Sequence, residues 1–229
     1  QLCYQGKQKT TGSEEKIMAG TLQVSADSWN DGEPIPAKFA FCAPAPESHV
    51  TMSTNISPAL NWAGAPDGTR SFAILCIDVD VPSAPDDVNQ EDREVPVDLP
   101  RIDFFHWVLV DIAGDATGIA EGADSDSITA GGKALGQTSV GVRGLNNFTD
   151  WFAGDADMGG DYGGYDGPCS PWNDSIIHHY HFHIYALDIK TLGLDGQFGG
   201  PEAQAAMKGH VLAEGSMCGT YNQNPRLGT

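Results

Sequence analysis

The chain has 229 residues, 31 of them acidic and 12 basic, so its formal net charge is -19. A field of that sign repels nucleic acid and anionic membrane surfaces and excludes either as the main partner, because nonspecific binding to both needs a cationic face. The longest apolar runs, Phe72 to Ile77 and Trp107 to Val110, fall far short of the roughly 20 residues that cross a bilayer, so no transmembrane segment is expected.

No internal repeat or low-complexity linker divides the chain, which favours one domain over residues 21–229 after a polar N-terminal arm over residues 1–20. Five cysteines, Cys3, Cys42, Cys76, Cys169 and Cys218, form neither a C-x-x-C pair nor a zinc-finger spacing. Cys76 sits inside an apolar run and reads as a small buried residue. The other four fit two disulfides in an exported protein or free thiols in a cytoplasmic one. Cys42 and Cys169 flank the candidate pocket described below, and on that ground export to a periplasmic or extracellular space is the expectation.

Leu22 to Val24 reads as a short strand before the turn cluster D-G-E-P-I-P, and Lys38 to Cys42 reads as extended. S-P-A-L-N-W places Leu60 and Trp62 on one face, and Ala65-Pro66-Asp67-Gly68 is a turn. Ser71 to Val81 is the clearest buried strand, running out into D-V-D-V-P. Asp78 and Asp80 share one side of it, a spacing that serves acid/base work, cation binding or the capping of loop amides.

Residues 83–103 form an acidic, proline-punctuated loop, long enough to suggest function or mobility. Phe104 to Ile112 follows as a strand with His106 between aromatics, where an imidazole is either a satisfied core residue or a ligand contact. Ala113 to Gly164 is rich in Gly and Asp and should be mostly loop with one or two helical turns. Within it D-A-D-M-G-G-D resembles a calcium loop poorly, since Asp166 stands where a bidentate glutamate belongs. Asn55, Asn147 and Asn173 each begin a glycosylation acceptor pattern.

The stretch Y-D-G-P-C-S-P-W-N-D-S-I-I-H-H-Y-H-F-H-I-Y-A-L-D, from Tyr165 to Asp188, begins as a rigid loop because Pro168 and Pro171 fix φ beside the permissive Gly167. From His178 it becomes a strand. His178, Tyr180, Phe182 and Ile184 then share one face, and His179, His181, His183 and Tyr185 the other. The first face offers one histidine and one tyrosine beside a Pro/Gly loop, which suits a small polar ligand or a core strand with one hydrogen-bonded imidazole. After it, Pro201 to Glu214 has Pro at the first helical position and Ala203, Ala206, Met207 and His210 at helical spacing, and Glu214 to Tyr221 closes the chain as a strand.

Taken together, D-V-D-V-P, F-H-W-V, Y-D-G-P-C-S-P, I-H-H-Y, S-P-A-L-N-W and the final G-T-Y resemble the phosphatidylethanolamine-binding protein family, its bacterial Raf-kinase-inhibitor-like branch most closely, over residues 21 to 222. The resemblance implies a mainly antiparallel β architecture, a large sheet packed on a smaller one in the manner of a β-sandwich, with a few short helices including one near the C-terminus. It also implies a pocket for phosphate or a phosphorylethanolamine head group, formed by Asp78, Asp80, His106, Gly167, Pro171, His178 and Tyr180, no cofactor, and a non-enzymatic role that in some members inhibits an enzyme partner. Three positions depart from the family pattern: D-V-D-V-P replaces D-P-D-x-P, Ser170 replaces a proline, and His179 stands where arginine is common. The last exchanges a permanent charge for a titratable one.

At a protein charge of -19, anion capture must rest on short-range donors: amides of the Gly167 loop, the Tyr180 hydroxyl, and the imidazoles of His106 and His178. The competing function is a zinc-dependent hydrolase built on His179, His181 and His183, because alternating histidines on a strand can converge on a metal. A serine hydrolase lacks its G-x-S-x-G elbow, and Ser170 has no evident base.

Overall fold

The computed structural model describes residues 20–228; of the expected arm, only Gly20 falls within them. The chain forms β1 (Gly20–Thr21), β2 (Gln23–Ala26), β3 (Cys42–Ala45), β4 (His49–Met52), β5 (Leu60–Ala63), β6 (Ser71–Pro82), β7 (Arg101–Ala113), β8 (Gly118–Ile119), β9 (Gly136–Gln137) and β10 (Val142–Arg143). Then come α1 (Phe148–Trp151), β11 (His178–Leu187), α2 (Gly200–Met207) and β12 (Val211–Tyr221). One seven-stranded sheet runs in the order β1-β12-β11-β6-β7-β10-β9, beside a three-stranded sheet β2-β5-β8 and the hairpin β3-β4.

The alternation along β11 decides how these layers stack. His178, Tyr180, Phe182 and Ile184 are buried, while His179 is exposed and His181, His183 and Tyr185 are partly so. The inward set joins Phe72, Ile74 and Cys76 of β6 and Trp107 and Leu109 of β7 in a core whose other wall is Leu60 and Trp62 of β5 and Ile119 of β8. This is the large sheet packed on the small one. β6 and β7 are buried on both faces, so their sequences read as continuous apolar runs rather than alternations. Their outward residues Ala73, Leu75, Val108 and Val110 lie under Phe198 and the α2 residues Ala203 and Met207.

Three local expectations differ from the structure. Residues 37–39 form a single 3-10 turn, and the extended segment starts only at Cys42. The Pro201 helix stops at Met207, not Glu214, because Gly209 turns the chain at φ +88° and Val211 to Glu214 are claimed by pairing with β11. The acceptor asparagines Asn55 and Asn173 are wholly buried and hydrogen-bonded, so neither is open to glycosylation in the folded protein. The calcium-like loop is spent internally: Asp155 Oδ1 accepts from the amides of Asp157 and Met158, and Asp166 is buried against Lys133.

Candidate functional site

The register of the three central strands brings distant residues to one point. Asp78 of β6 pairs with Phe104 of β7 on one side and Tyr180 of β11 on the other, which sets His106 and His178 at the same end of the sheet. A cavity of about 150 Å³ opens there. Asp78, His106 and His178 line its polar side, with Ser170 and Pro171 from the Pro/Gly loop. Val50, Val81, Val88, Phe104, Phe148 and Trp151 make its walls apolar.

The acidic loop contributes a wall because Asn173 fastens it. Wholly buried, the Asn173 side-chain amide donates to the carbonyls of Asp87, Gln90 and Arg93, while its Oδ1 accepts from the amide of Asn89. Pro85, Val88 and Asn89 are thereby held against the cavity. On the opposite wall, Cys169 is joined to Cys42 of β3 by a disulfide, so the hairpin that carries Val50 and the loop that carries Ser170 move as one. Cys42 lies in a strand, not the expected loop; Cys76 is buried and unbridged.

At the floor, His178 is clamped between two carboxylates: Nδ1 lies 2.7 Å from Asp78 Oδ2 and Nε2 lies 3.1 Å from Asp174 Oδ2. Both nitrogens must carry hydrogen to satisfy two anionic acceptors, so the ring is an imidazolium. Burial opposes that charge, but Asp78 and Asp174 overcome it and raise the pKa to about 9. Burial likewise disfavours the charged carboxylates, yet His178 holds Asp78, and with Arg101 holds Asp174, below the usual range. Arg101 completes the chain through two hydrogen bonds to Asp174, 2.7 and 3.0 Å long. The charges of Asp78, His178, Asp174 and Arg101 cancel.

His106 is different. Its Nδ1 lies 2.8 Å from the carbonyl oxygen of Asp166, an acceptor, so Nδ1 carries the proton. Burial lowers its pKa despite the nearby Asp78, and the neutral ring leaves Nε2 as a lone-pair acceptor with no hydrogen-bond partner among the described residues. Ring packing fixes its orientation, edge-on to Tyr180 at 5.1 Å and to Phe148 at 5.4 Å.

Of the seven residues singled out in the sequence, Asp78, His106, Pro171 and His178 line the cavity. Asp80, Gly167 and Tyr180 stand behind it. Asp80 Oδ2 accepts from the amide and Nδ1 of the half-exposed His179, each at 2.8 Å. The Gly167 amide donates to Asn55 Oδ1 and is not available to a ligand; a Cβ there would overlap the Phe39 carbonyl, which is why glycine is required. The Tyr180 hydroxyl is fully buried, its pKa driven up by burial and by Asp78. His178 also departs from expectation, since neither nitrogen is free to donate to a ligand.

Sequence reasoning missed Asp174 and Arg101. Asp174 was visible only as the middle of a glycosylation pattern, and its partner lies 73 positions away. The zinc alternative finds no ligand set: among the described residues no group of three or more His, Cys, Asp or Glu is arranged to hold a metal, and His179 is engaged by Asp80.

The sequence pattern of the phosphatidylethanolamine-binding protein family matches residues 25–222, and the chain belongs to that family. It is 29% identical over 202 residues to a UPF0098 protein of Methanothermobacter thermautotrophicus, covering 88% of this chain and 99% of the relative. With the UPF0098 protein PH1269 of Pyrococcus horikoshii the identity is 30% over 212 residues, 93% of this chain and 80% of the relative. The crystal structure of Escherichia coli YbcL, titled a new member of the mammalian PEBP family, superposes with a TM-score of 0.60 at 23% identity, over 89% of this chain and 99% of that one. That likeness concerns the fold.

Proposed function

We propose that the protein binds a small anionic head group, a phosphate or phosphorylethanolamine, in the cavity at His106, without transforming it chemically. The supporting observation is that a buried hydroxyl, Ser170 Oγ, lines this cavity with no hydrogen-bond partner among the described residues. An orphaned buried hydroxyl costs about 1–3 kcal/mol, and a ligand oxygen would relieve that cost. Ser170, standing where the family pattern has proline, supplies a donor that pattern lacks.

A protonated phosphate oxygen donates to His106 Nε2, an anionic oxygen accepts from Ser170 Oγ, and an ammonium group, where the ligand has one, faces the Asp78 carboxylate. Every cation at the floor is matched to a carboxylate, so the pocket favours a monoanion or zwitterion over a dianion. The Cys42–Cys169 bridge beside the cavity supports the reading that the protein works in an exported, oxidising compartment.

Calorimetry with phosphorylethanolamine tests the assignment. Wild-type protein should bind saturably, and Ser170→Ala should weaken binding about tenfold, the size of one hydrogen bond to a charged group. Absence of binding to both phosphate and phosphorylethanolamine in the millimolar range would sink the proposal.

A further inference from the structure

A second and larger concavity lies at the far end of the same two strands. It touches Arg70, just before β6, and Asp111 to Ala113 at the end of β7, roughly 26 Å along the strand from Asp78. Its volume is about 980 Å³, near the upper end of ligand pockets at about 300–1,000 Å³. It runs between the outer edge strand β8 of the small sheet and the outer edge strand β9 of the large one, so the two sheets diverge around it. Ile112, Ile119, Val140 and Ala116 give it an apolar floor continuous with the main core.

The charges on its rim stand apart from the rest of the surface. Six basic side chains among the described residues are paired with acids: Lys38 with Glu121, Arg93 with Asp87 and Asp92, Arg101 with Asp174, Lys133 with Asp166, Arg143 with Asp124, and Arg226 with Glu94. Arg70, Lys190 and Lys208 have no ion-pair partner among the described residues, and the first two line this groove. In a chain of charge -19, two unpaired cations at one concavity bring its formal charge, with Asp111 and Asp115, to neutral, a local relief of the acidic field.

Asp111 builds the rim. Its carboxylate accepts from Thr191 Oγ1 at 2.7 Å and from the Leu192 amide at 2.8 Å, fastening the loop that carries Lys190. The backbone takes a left-handed φ of +56° there, a conformation that aspartate tolerates better than most residues. Asp111 is held by these bonds away from a ligand, and Asp115 is the lining carboxylate that makes no hydrogen bond among the described residues.

We infer that this groove is a second binding site, for an organic anion that carries an apolar body. The head group sits between Arg70 and Lys190, and the body lies over Ile112, Ile119 and Val140. The site is independent of the cavity at His106.

Anilinonaphthalene sulfonate, an aromatic sulfonate, is a suitable fluorescent probe. It should bind saturably, decanoate should displace it, and uncharged decanol should displace it far less well. The double variant Arg70→Gln/Lys190→Gln alters only exposed, unpaired side chains, so the fold persists, and its affinity should fall about tenfold. Lys208→Gln, which removes the same kind of charge away from the groove, should leave affinity unchanged. Saturating phosphorylethanolamine should not compete. Ala120→Trp, which fills the groove from an exposed position, should abolish binding. Equal affinity in the wild type and the double variant, or an equal loss in Lys208→Gln, overturns the site.

Discussion

His178 carries a charge that the fold itself maintains, and pH reads it out. Its pKa rises from an ordinary 6.5 to about 9 on folding, so its contribution is fully present below about 6.5 and is lost as pH climbs through 9. Urea midpoints measured from pH 6 to 10 should therefore fall on the alkaline side, and His178→Gln should flatten that fall. The variant should also lose about 3–5 kcal/mol at neutral pH, because Asp78 and Asp174 are left buried without the charge that separates them. An unchanged alkaline slope would mean that the ring is neutral in the folded state. His106 behaves oppositely: its pKa is depressed by burial, and protonation converts Nε2 from acceptor to donor. A phosphodiester, which has no hydrogen to give to a neutral Nε2, should bind more tightly as pH drops below neutrality. His106→Gln should remove that dependence and His178→Gln should not.

At the scale of elements, how much could be read in advance depended on whether the determining interactions were local. β11 was legible because its alternation is a property of ten consecutive residues, and β6 and β7 because burial on both faces leaves unbroken apolar runs. The end of α2 was not, since Val211 to Glu214 look helical until β11 offers them a partner. Asp78, His106 and His178 could be gathered by motif, whereas Asp174 and Arg101 owe their roles to a hydrogen bond across 73 positions that no local pattern announces. The acidic loop belongs to the same class: its composition signals a loop, and only Asn173 makes it a wall. Asn173→Ala strips a donor from three carbonyls at once. Amide exchange should then lose protection across residues 85–95 while β6 and β11 keep theirs. Uniform loss over the whole chain would instead show that the loop and the sheet unfold as one unit.

The molecule as a whole sets self-repulsion against constraint. A charge of -19 disfavours the compact state, and the paired cations relieve it only locally. The Cys42–Cys169 bridge counters from the other direction. It closes a segment of the chain with a sequence separation of 127 and removes that freedom from the unfolded ensemble, a stabilisation of about 4–5 kcal/mol for a loop of this size in the chain-entropy account. It also unites two walls of the cavity at His106, so its loss should be felt in the proposed binding as well as in stability. The paired variant Cys42→Ala/Cys169→Ala should unfold at clearly lower urea concentration than the wild type, bind phosphorylethanolamine more weakly, and become insensitive to reductant in both respects. Salt separates the two effects, because added sodium chloride screens repulsion within a Debye length of about 8 Å at 0.15 M and restores stability without rebuilding the cavity wall. A variant whose stability and affinity both return on adding salt would show that the bridge serves only to hold a repelling chain together, and that the cavity forms without it.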